Sequence, residues 1–483
     1  MARYGIRENP YVGLRPFGLD DSLYFFGRRQ QVGELLELLH RTHFLAVVGS
    51  SGCGKSSLIR AGLIPALRGG FLVEDRARWL EAVARPGDAP LMNLAEALVA
   101  RDAAGPDAAE RLRQDLAERH TEAALDAIVP RLGADANLLL LVDQFEELFA
   151  FRGFEEEEHL DAMSPAHRRR IRSRRAEAAD FVDLLLALAA RTDLPVYVVL
   201  TMRTDFLGDC DLFYGLPEAM NRSRYLVPRL DREQLRAAIE GPARLGGGSV
   251  APRLVDTLLN ELGDRADRLP ILQHALQRTW QAAHRNGADS TLDLEAYRTA
   301  GTLEDALSDD AEEAVQHTDL DVAARVFKRL TDTDLAGRRV RRPARFSELV
   351  AVSGADAETV RALLDAFHGH DRSFVYFSEH DPATGDFRVD LSHESLIRQW
   401  DRLKDWVDEE HRDRAVYREL VDRARADREP LRGRDLRRAW TWQRRFRPTP
   451  AWAARYDTQQ GDFGAAAAYL RRSRRRRHYR RLG

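Results

Sequence analysis

Cysteine is nearly missing from this sequence: 483 residues hold two, Cys53 and Cys210, far apart and without metal-ligand spacing. That excludes a disulfide framework and a cysteine-built zinc site, and it predicts a reducing, cytoplasmic setting. No run approaches the roughly 18 consecutive apolar residues of a membrane span, and the N-terminus has no apolar h-region, so neither a transmembrane helix nor a signal peptide is expected. Charge of neither sign dominates, with 74 Lys and Arg against 77 Asp and Glu and a net charge of −3. Whole-molecule attraction to nucleic acid or membrane is thereby excluded. Also absent are WD, TPR or other repeats, a protease triad, a nuclease acid cluster and a TIR-like segment. What remains, with 44% apolar and 31% charged residues, is a globular chain of roughly two to four domains.

One motif stands out against that background. Phe44-Leu45-Ala46-Val47-Val48 is an apolar run of buried-strand type. It leads into Gly49-Ser50-Ser51-Gly52-Cys53-Gly54-Lys55-Ser56, a complete GxxxxGK[ST] sequence, and then into helical spacing from Ser57 to Ile64. Glycines let backbone N–H groups curl around phosphate oxygens and the helix N-terminus adds positive potential. Lys55 reaches the β- and γ-phosphates, and Ser56 ligates Mg2+. Gly49 to Ser57 is thus the candidate binding segment, with ATP or ADP and Mg2+ as the expected ligands. Cys53 reads as a small residue at a variable position rather than a redox control.

A phosphate loop needs an acidic strand end. Leu138-Leu139-Leu140-Leu141-Val142 runs into Asp143-Gln144-Phe145-Glu146-Glu147. Asp143 at the strand's carboxyl end would hold the Mg2+ hydration shell, and Glu146 or Glu147, with Glu146 preferred, would polarise the attacking water. The competing reading is a helix start with acids placed for the dipole. A helical stretch over 178–191 precedes a third strand, Val196 to Leu200, which ends in Thr201-Met202-Arg203-Thr204-Asp205. Strand ends face ligands in open α/β sheets, so Arg203 is a candidate sensor of the γ-phosphate; a structural ion pair is the alternative. Residues 155–175, acid block then base block, read as a solvated loop or helix without chemistry.

With these strands placed, the chain resembles the STAND class of signalling ATPases (signal-transduction ATPases with numerous domains), and within it the bacterial novel STAND subtype that often precedes WD repeats. The likeness runs through Asn9 to Phe17, Phe25-Phe26-Gly27-Arg28, the phosphate loop, Arg85-Pro86-Gly87, Asp143 to Glu147 and Arg203 to Leu207. It continues through Gly241 to Leu245, Leu269 to Leu276 and Ser392 to Leu396. The resemblance implies that Gly27-Arg28 packs near the adenine, although Gln31 stands where an acid is commoner. It implies that Pro270 lines the base pocket from a lid helix. By the same likeness His393 is the winged-helix histidine that touches the β-phosphate of bound ADP and locks the resting state.

The expected fold class is α/β: a P-loop NTPase parallel sheet with helices on both faces (1–230), a helical lid (231–318), a winged helix (319–409) and a C-terminal helical region with an arginine-rich tail (410–483). The lid rests on Asp231 as an N-cap and on helices near 252–262 and 270–284. The winged helix rests on helices near 321–330, 346–352 and 356–368, then Phe374 to Phe377, a turn at Asp381 to Asp386, and Phe387 to Leu391. The helix expected from Glu394 to Glu409 carries an acidic face that would repel phosphates and disfavours DNA reading. Trp440, Trp442 and Trp452 read as packing. The last 13 residues hold eight arginines, which fit a solvated helical end, a nucleic-acid tail, or the flank of a membrane span beyond this chain.

The predicted function is an ADP-locked switch that opens to ATP, self-associates, activates an output in bacterial defence (antiviral) or stress signalling, and resets by slow ATP hydrolysis. Lys55, Ser56, Asp143, Glu146 and Arg203 act at the phosphates, and Pro270 and His393 form the lock. Sensor or effector proteins are the expected partners. The alternatives are a non-hydrolysing nucleotide-gated scaffold and a DNA-stimulated ATPase using the winged helix and arginine tail.

Overall fold

The computed structural model describes residues 8–70, 78–87, 89–99, 111–116, 136–149, 165–191, 193–263, 268–285, 291–303, 305–333, 339–369, 372–378, 384–457 and 461–482. The chain divides into two compact units, residues 1–12 with 16–299, and residues 13–15 with 300–483.

The first unit is built on a five-stranded, all-parallel sheet. Its strands are β1 (Phe44–Gly49), β2 (Arg78–Ala84), β3 (Ala136–Val142), β4 (Val196–Arg203) and β5 (Arg224–Leu226), in the spatial order β2-β3-β4-β1-β5. β1 and β3 are buried along their whole length. That is why they read as unbroken apolar runs: helices cover both faces of a parallel sheet. Alternate residues divide between the faces, with Ala46, Val48, Leu138 and Leu140 in one core and Leu45, Val47, Leu139 and Leu141 in the other. β4 lies between β1 and β3, so the loop strand and the acid strand are not neighbours. The register sets Gly49 opposite Arg203 and Val142 opposite Leu200. The carboxyl ends of all three strands therefore share one edge, where the direction of strand succession reverses beside β1.

The helix expected over 178–191 is longer, Pro165–Ala190. The basic run at 167–175 forms its opening turns, because alanine and arginine favour helix and nothing there breaks it. Residues 155–164 of the expected insertion lie outside the described residues. After β5, Asp231 caps the helix Arg232–Leu245 in a capping box with Gln234, and Pro252–Leu262 and Arg268–Arg285 follow.

The second unit has two cores. In the first, helices Ala306–Val315, Leu320–Arg329, Phe346–Ser353 and Ala357–Phe367 pack with a small antiparallel sheet ordered 344–345, 388–391, 375–378. Phe327, Phe367, Phe374 and Trp400 fill it. Of the expected turn, 381–383 lie outside the described residues. The single helix expected from Glu394 to Glu409 is instead two, Ser395–Gln399 and Asp401–Arg425, separated by Trp400 at φ −74°, ψ 105°. Trp400 is fully buried, edge-on to Phe327 at 5.2 Å, and its Nε1–H donates to Glu312 Oε1 at 2.7 Å. The chain leaves helical geometry at the residue whose indole fills this core. Nor is the acidic face bare. Glu394 pairs with Arg341 (3.2 Å), Asp401 with Lys404 (2.6 Å), Asp408 with Arg339 (2.6 Å) and Glu409 with Lys328 (3.1 Å). At these four positions the negative charge is paired within the fold.

The second core gathers Tyr417, Trp442, Trp452, Tyr456 and Tyr469, so Trp442 and Trp452 are packing residues. Trp440 lies at its margin with the Arg474 guanidinium 4.0 Å over its ring. The arginine-rich end belongs to the helix Asp462–Leu482. Among the described residues no helix is long and apolar enough to cross a membrane.

Candidate nucleotide-binding site

The loop between β1 and its helix bends through Gly52 (φ 74°) and Gly54 (φ 93°), a backbone region that costs residues with a Cβ. A Cβ on Gly49 would meet Cys53 Sγ at 2.5 Å. The loop helix starts with Leu58 N–H donating to Gly54 O at 2.8 Å. It then winds as a π-helix over Leu58–Leu63 before returning to α over Ile64–Arg68. Lys55 Nζ donates to the carbonyls of Gly49 (3.0 Å) and Ser50 (2.9 Å), so the ammonium is folded onto its own loop.

Asp143 follows β3 and is wholly buried. Ser56 Oγ donates to its Oδ1 at 2.7 Å, Thr201 Oγ1 donates to the same oxygen at 2.6 Å, and Arg60 Nη2 donates to Oδ2 at 2.8 Å. Burial alone would push its pKa up. The charges of Arg60 and Arg85 and the two hydroxyl hydrogen bonds outweigh that and bring it down to about 2. The insertion of β4 between β1 and β3 is what delivers Thr201, and Thr201 Oγ1 in turn accepts from Gln144 N–H at 3.0 Å. Gln144 sits at φ 59°, left-handed without being glycine. That backbone reversal starts the short 3-10 turn Phe145–Phe149 that carries Glu146 and Glu147. Glu147 Oε2 accepts from Gly87 N–H at 2.9 Å. Asn93 holds the same Arg85-Pro86-Gly87 segment through the Arg85 and Pro86 carbonyls, both at 3.0 Å. Arg203, beside Gly49 in the sheet, pairs with Asp205 at 2.5 Å and lies 5.7 Å from the Phe206 ring centre.

Around this centre the other motifs pack on one another. A Cβ on Gly27 (φ 84°) would come 2.5 Å from Gln234 O, and one on Gly241 would meet the Phe26 ring at 2.5 Å. Phe26-Gly27 is thereby fitted against the helix Arg232–Leu245. Arg28 is buried, donating to Pro228 O at 2.8 Å and to Cys53 O at 3.0 Å, so it ties the phosphate loop to the segment after β5. Pro270 sits in the first turn of Arg268–Arg285 beside Leu269, whose Cδ1 would lie 3.8 Å from a Cβ on Gly54. Ser57 Oγ accepts from Phe17 N–H at 3.1 Å, and Tyr11 OH donates to Ile239 O at 2.6 Å, so the N-terminal segment braces both the loop helix and the helix Arg232–Leu245.

In the second unit, His393 stands between the last strand of the small sheet and the helix Ser395–Gln399. Its Nδ1 accepts from Ser395 N–H at 3.0 Å, which puts the proton of a neutral ring on Nε2.

Of the residues singled out in the sequence, the structure brings the loop serine and Asp143 together and sets Glu146 and Glu147 in the turn after it. Sequence reasoning missed Arg60 and Thr201, and gave Arg28 no hydrogen-bonding role. The available signals were Arg60 one helical turn beyond Ser56 and a hydroxyl closing the apolar β4.

A glycine loop with a lysine and a hydroxyl, feeding a helix from a buried parallel strand and facing a buried aspartate across an intervening strand, defines a P-loop NTPase. The chain belongs to the family described as Novel STAND NTPase 1, whose profile matches residues 10–432. No curated protein matches it. Among solved structures it is similar to a Drosophila ORC chain bound to DNA (13% identity, 77% of this chain and 86% of that one, TM-score 0.37). It is also similar to Cdc6p of Pyrobaculum aerophilum (13% identity, 79% and 93%, TM-score 0.34) and to a Walker-type ATPase of Pyrococcus abyssi (12% identity, 82% and 99%, TM-score 0.35). Likenesses that loose carry nothing about ligands.

Proposed function

We propose that the protein is a signalling switch that binds ATP and ADP and resets by slow ATP hydrolysis, with bacterial defence or stress signalling as its setting. The observation that carries this reading is the Asp143 cluster. A wholly buried carboxylate lies 2.7 Å from the hydroxyl of the phosphate-loop serine, at the edge of the sheet where Lys55 and Arg203 also emerge. Ser56 and Asp143 offer hard oxygen donors of the kind that suit Mg2+. When bound, Mg2+ would neutralise charge between the β- and γ-phosphates. Lys55 exchanges its loop carbonyls for phosphate oxygens. Arg203 exchanges Asp205 for the γ-phosphate and thereby reports it. Glu146, in the turn that follows Asp143, is the preferred candidate to orient the attacking water, with Glu147 as the alternative.

On this reading the chain works as four segments, an NTPase core (1–230), a lid (231–318), a winged helix (319–409) and a C-terminal helical region (410–483). Gly27-Arg28 and Pro270 border the base, consistent with Leu269 lying against Gly54. The Nε2–H of His393 donates to ADP and holds the resting form. ATP favours an open form that self-associates, and the nucleotides act only through their different affinities for the two forms.

The test is to denature the purified protein, identify the released nucleotide by ion-exchange chromatography, and compare ATP turnover in wild type, Glu146→Gln and Glu147→Gln. Stoichiometric ADP and turnover lost only in Glu146→Gln are expected. Equal turnover in all three would remove Glu146 as base. Nucleotide binding that survives Lys55→Ala would overturn the phosphate-loop assignment itself.

A further inference from the structure

The Asp143 carboxylate is already fully served by this chain's own side chains. Two hydroxyls, Ser56 at 2.7 Å and Thr201 at 2.6 Å, share Oδ1, and the Arg60 guanidinium takes Oδ2 at 2.8 Å. Arg60 follows Ser56 by one helical turn, so its side chain rises on the face of the loop helix that turns to Asp143. It supplies the positive charge that a buried carboxylate requires. A divalent cation held between Ser56 and Asp143 would need the same carboxylate and would face a like charge in a site of low dielectric. The guanidinium and the cation compete for one carboxylate, and the conflict is relieved by movement of Arg60. The Arg60 side chain is 28% exposed while Asp143 is not exposed at all, so the guanidinium has a way into solvent and the carboxylate has none. The closed position is also imperfect, because Arg60 Nε is buried without a hydrogen-bond partner.

We propose that Arg60 guards the metal site: it occupies Asp143 in place of a divalent cation, and the metal is taken up only when Arg60 lets go. The inference rests on the nucleotide-switch reading for its purpose, but the competition itself is a property of Ser56, Arg60 and Asp143. Its consequence is that a diphosphate can be held without metal while Arg60 neutralises Asp143, and that divalent-metal occupancy marks a distinct arrangement of the loop helix.

The test uses Mn2+ as the probe, titrated by electron paramagnetic resonance against the full chain with and without ADP. Arg60→Gln removes the charge but keeps a polar side chain. It should lower the half-saturating Mn2+ concentration by about tenfold, within the usual size of coupling between two ligands. Equal or weaker Mn2+ binding in Arg60→Gln than in wild type overturns the proposal. A second measurement needs no variant. Phenylglyoxal labelling of Arg60 in the wild-type chain, read by mass spectrometry, should rise when Mn2+ is added; labelling that stays level or falls overturns it. A chain that binds Mn2+ competitively with Arg60 but binds no ADP would defeat the switch reading and leave this inference standing.

Discussion

Asp143 in the first unit and Asp413 in the second are both shut away from solvent, and their affinities for a proton move in opposite directions. Burial works against the charged form of each. At Asp143 it is outweighed by Arg60, Arg85 and two hydroxyl donors, and the pKa falls to about 2. At Asp413 burial prevails over Lys328 and Arg445, with Glu410 and Glu409 adding repulsion, and the pKa rises. The difference follows from where each sits. Asp143 lies at the end of a parallel sheet, where donors from three segments converge. Asp413 lies on a long helix three and four residues from other acids, and it is ion-paired with an exposed Arg445 at 3.2 Å. Near Asp413 the polar interior is cement. Glu410 accepts from Trp452 Nε1 and Tyr456 OH, both at 2.6 Å. Arg455 is buried between Glu410 and Asp332 and donates to the carbonyls of Lys328 and Thr331. A buried charge therefore points to ligand chemistry only where its partners could be exchanged for a ligand.

If one network serves a ligand and the other stability, substitutions should separate them. The largest effect is expected for Asp143→Asn, which should cut ATP turnover by about 100-fold or more, the scale of losing one preorganised electrostatic group, here the carboxylate that would hold Mg2+, while the C-terminal unit melts as before. Loss of C-terminal melting would break the contrast. Arg455→Met should do the reverse. Stranding a buried acid costs about 3–5 kcal/mol, read as a shift in the urea midpoint of the C-terminal unit, with ADP affinity retained. Asp413→Asn should stabilise the C-terminal unit at pH 7 by about 0.5 kcal/mol, the size of one relieved like-charge pair; a loss of stability would mean that Arg445 matters more than burial. The smallest effect is a pair of opposed pH slopes. A carboxyl whose folded pKa is raised costs stability at neutral pH and returns it as pH falls through that pKa, so Asp413 should make the C-terminal unit firmer between pH 7 and about 4. Asp143 should contribute no slope in that window, because its stabilisation is complete above about 3.9 and is lost only as pH falls on towards 2. Thermal melts at pH 7, 5 and 4, with Asp413→Asn reducing the C-terminal slope, check both.

The features legible in the sequence were those whose cause is local. The glycines of the loop are fixed by backbone angles within the loop, and β1 and β3 announce themselves because both faces are covered. Asp231 and Gln234 form their capping box within one turn. The features that were hidden depend on distant partners. Arg28 reaches Cys53 and Pro228, the latter 200 residues away. The periodicity from Glu394 to Glu409 runs unbroken through Trp400, and only the ring of Phe327, Phe367 and Glu312 around that indole marks the place where the helix stops. An acid count likewise could not reveal that Arg341, Arg339 and Lys328 would pair with Glu394, Asp408 and Glu409.

The sequence by itself determined that this chain has a phosphate loop on a buried parallel strand, an acid strand after it, and the motif order of the Novel STAND NTPase 1 family. Chain-local sterics and apolar runs need nothing else to declare them. Only the tertiary structure decided what Asp143 is bonded to. Placing β4 between β1 and β3 sets Thr201 on one side of the carboxylate and leaves the other to Arg60, and hydrogen bonds between segments this far apart are chosen by sheet order, which no local pattern encodes.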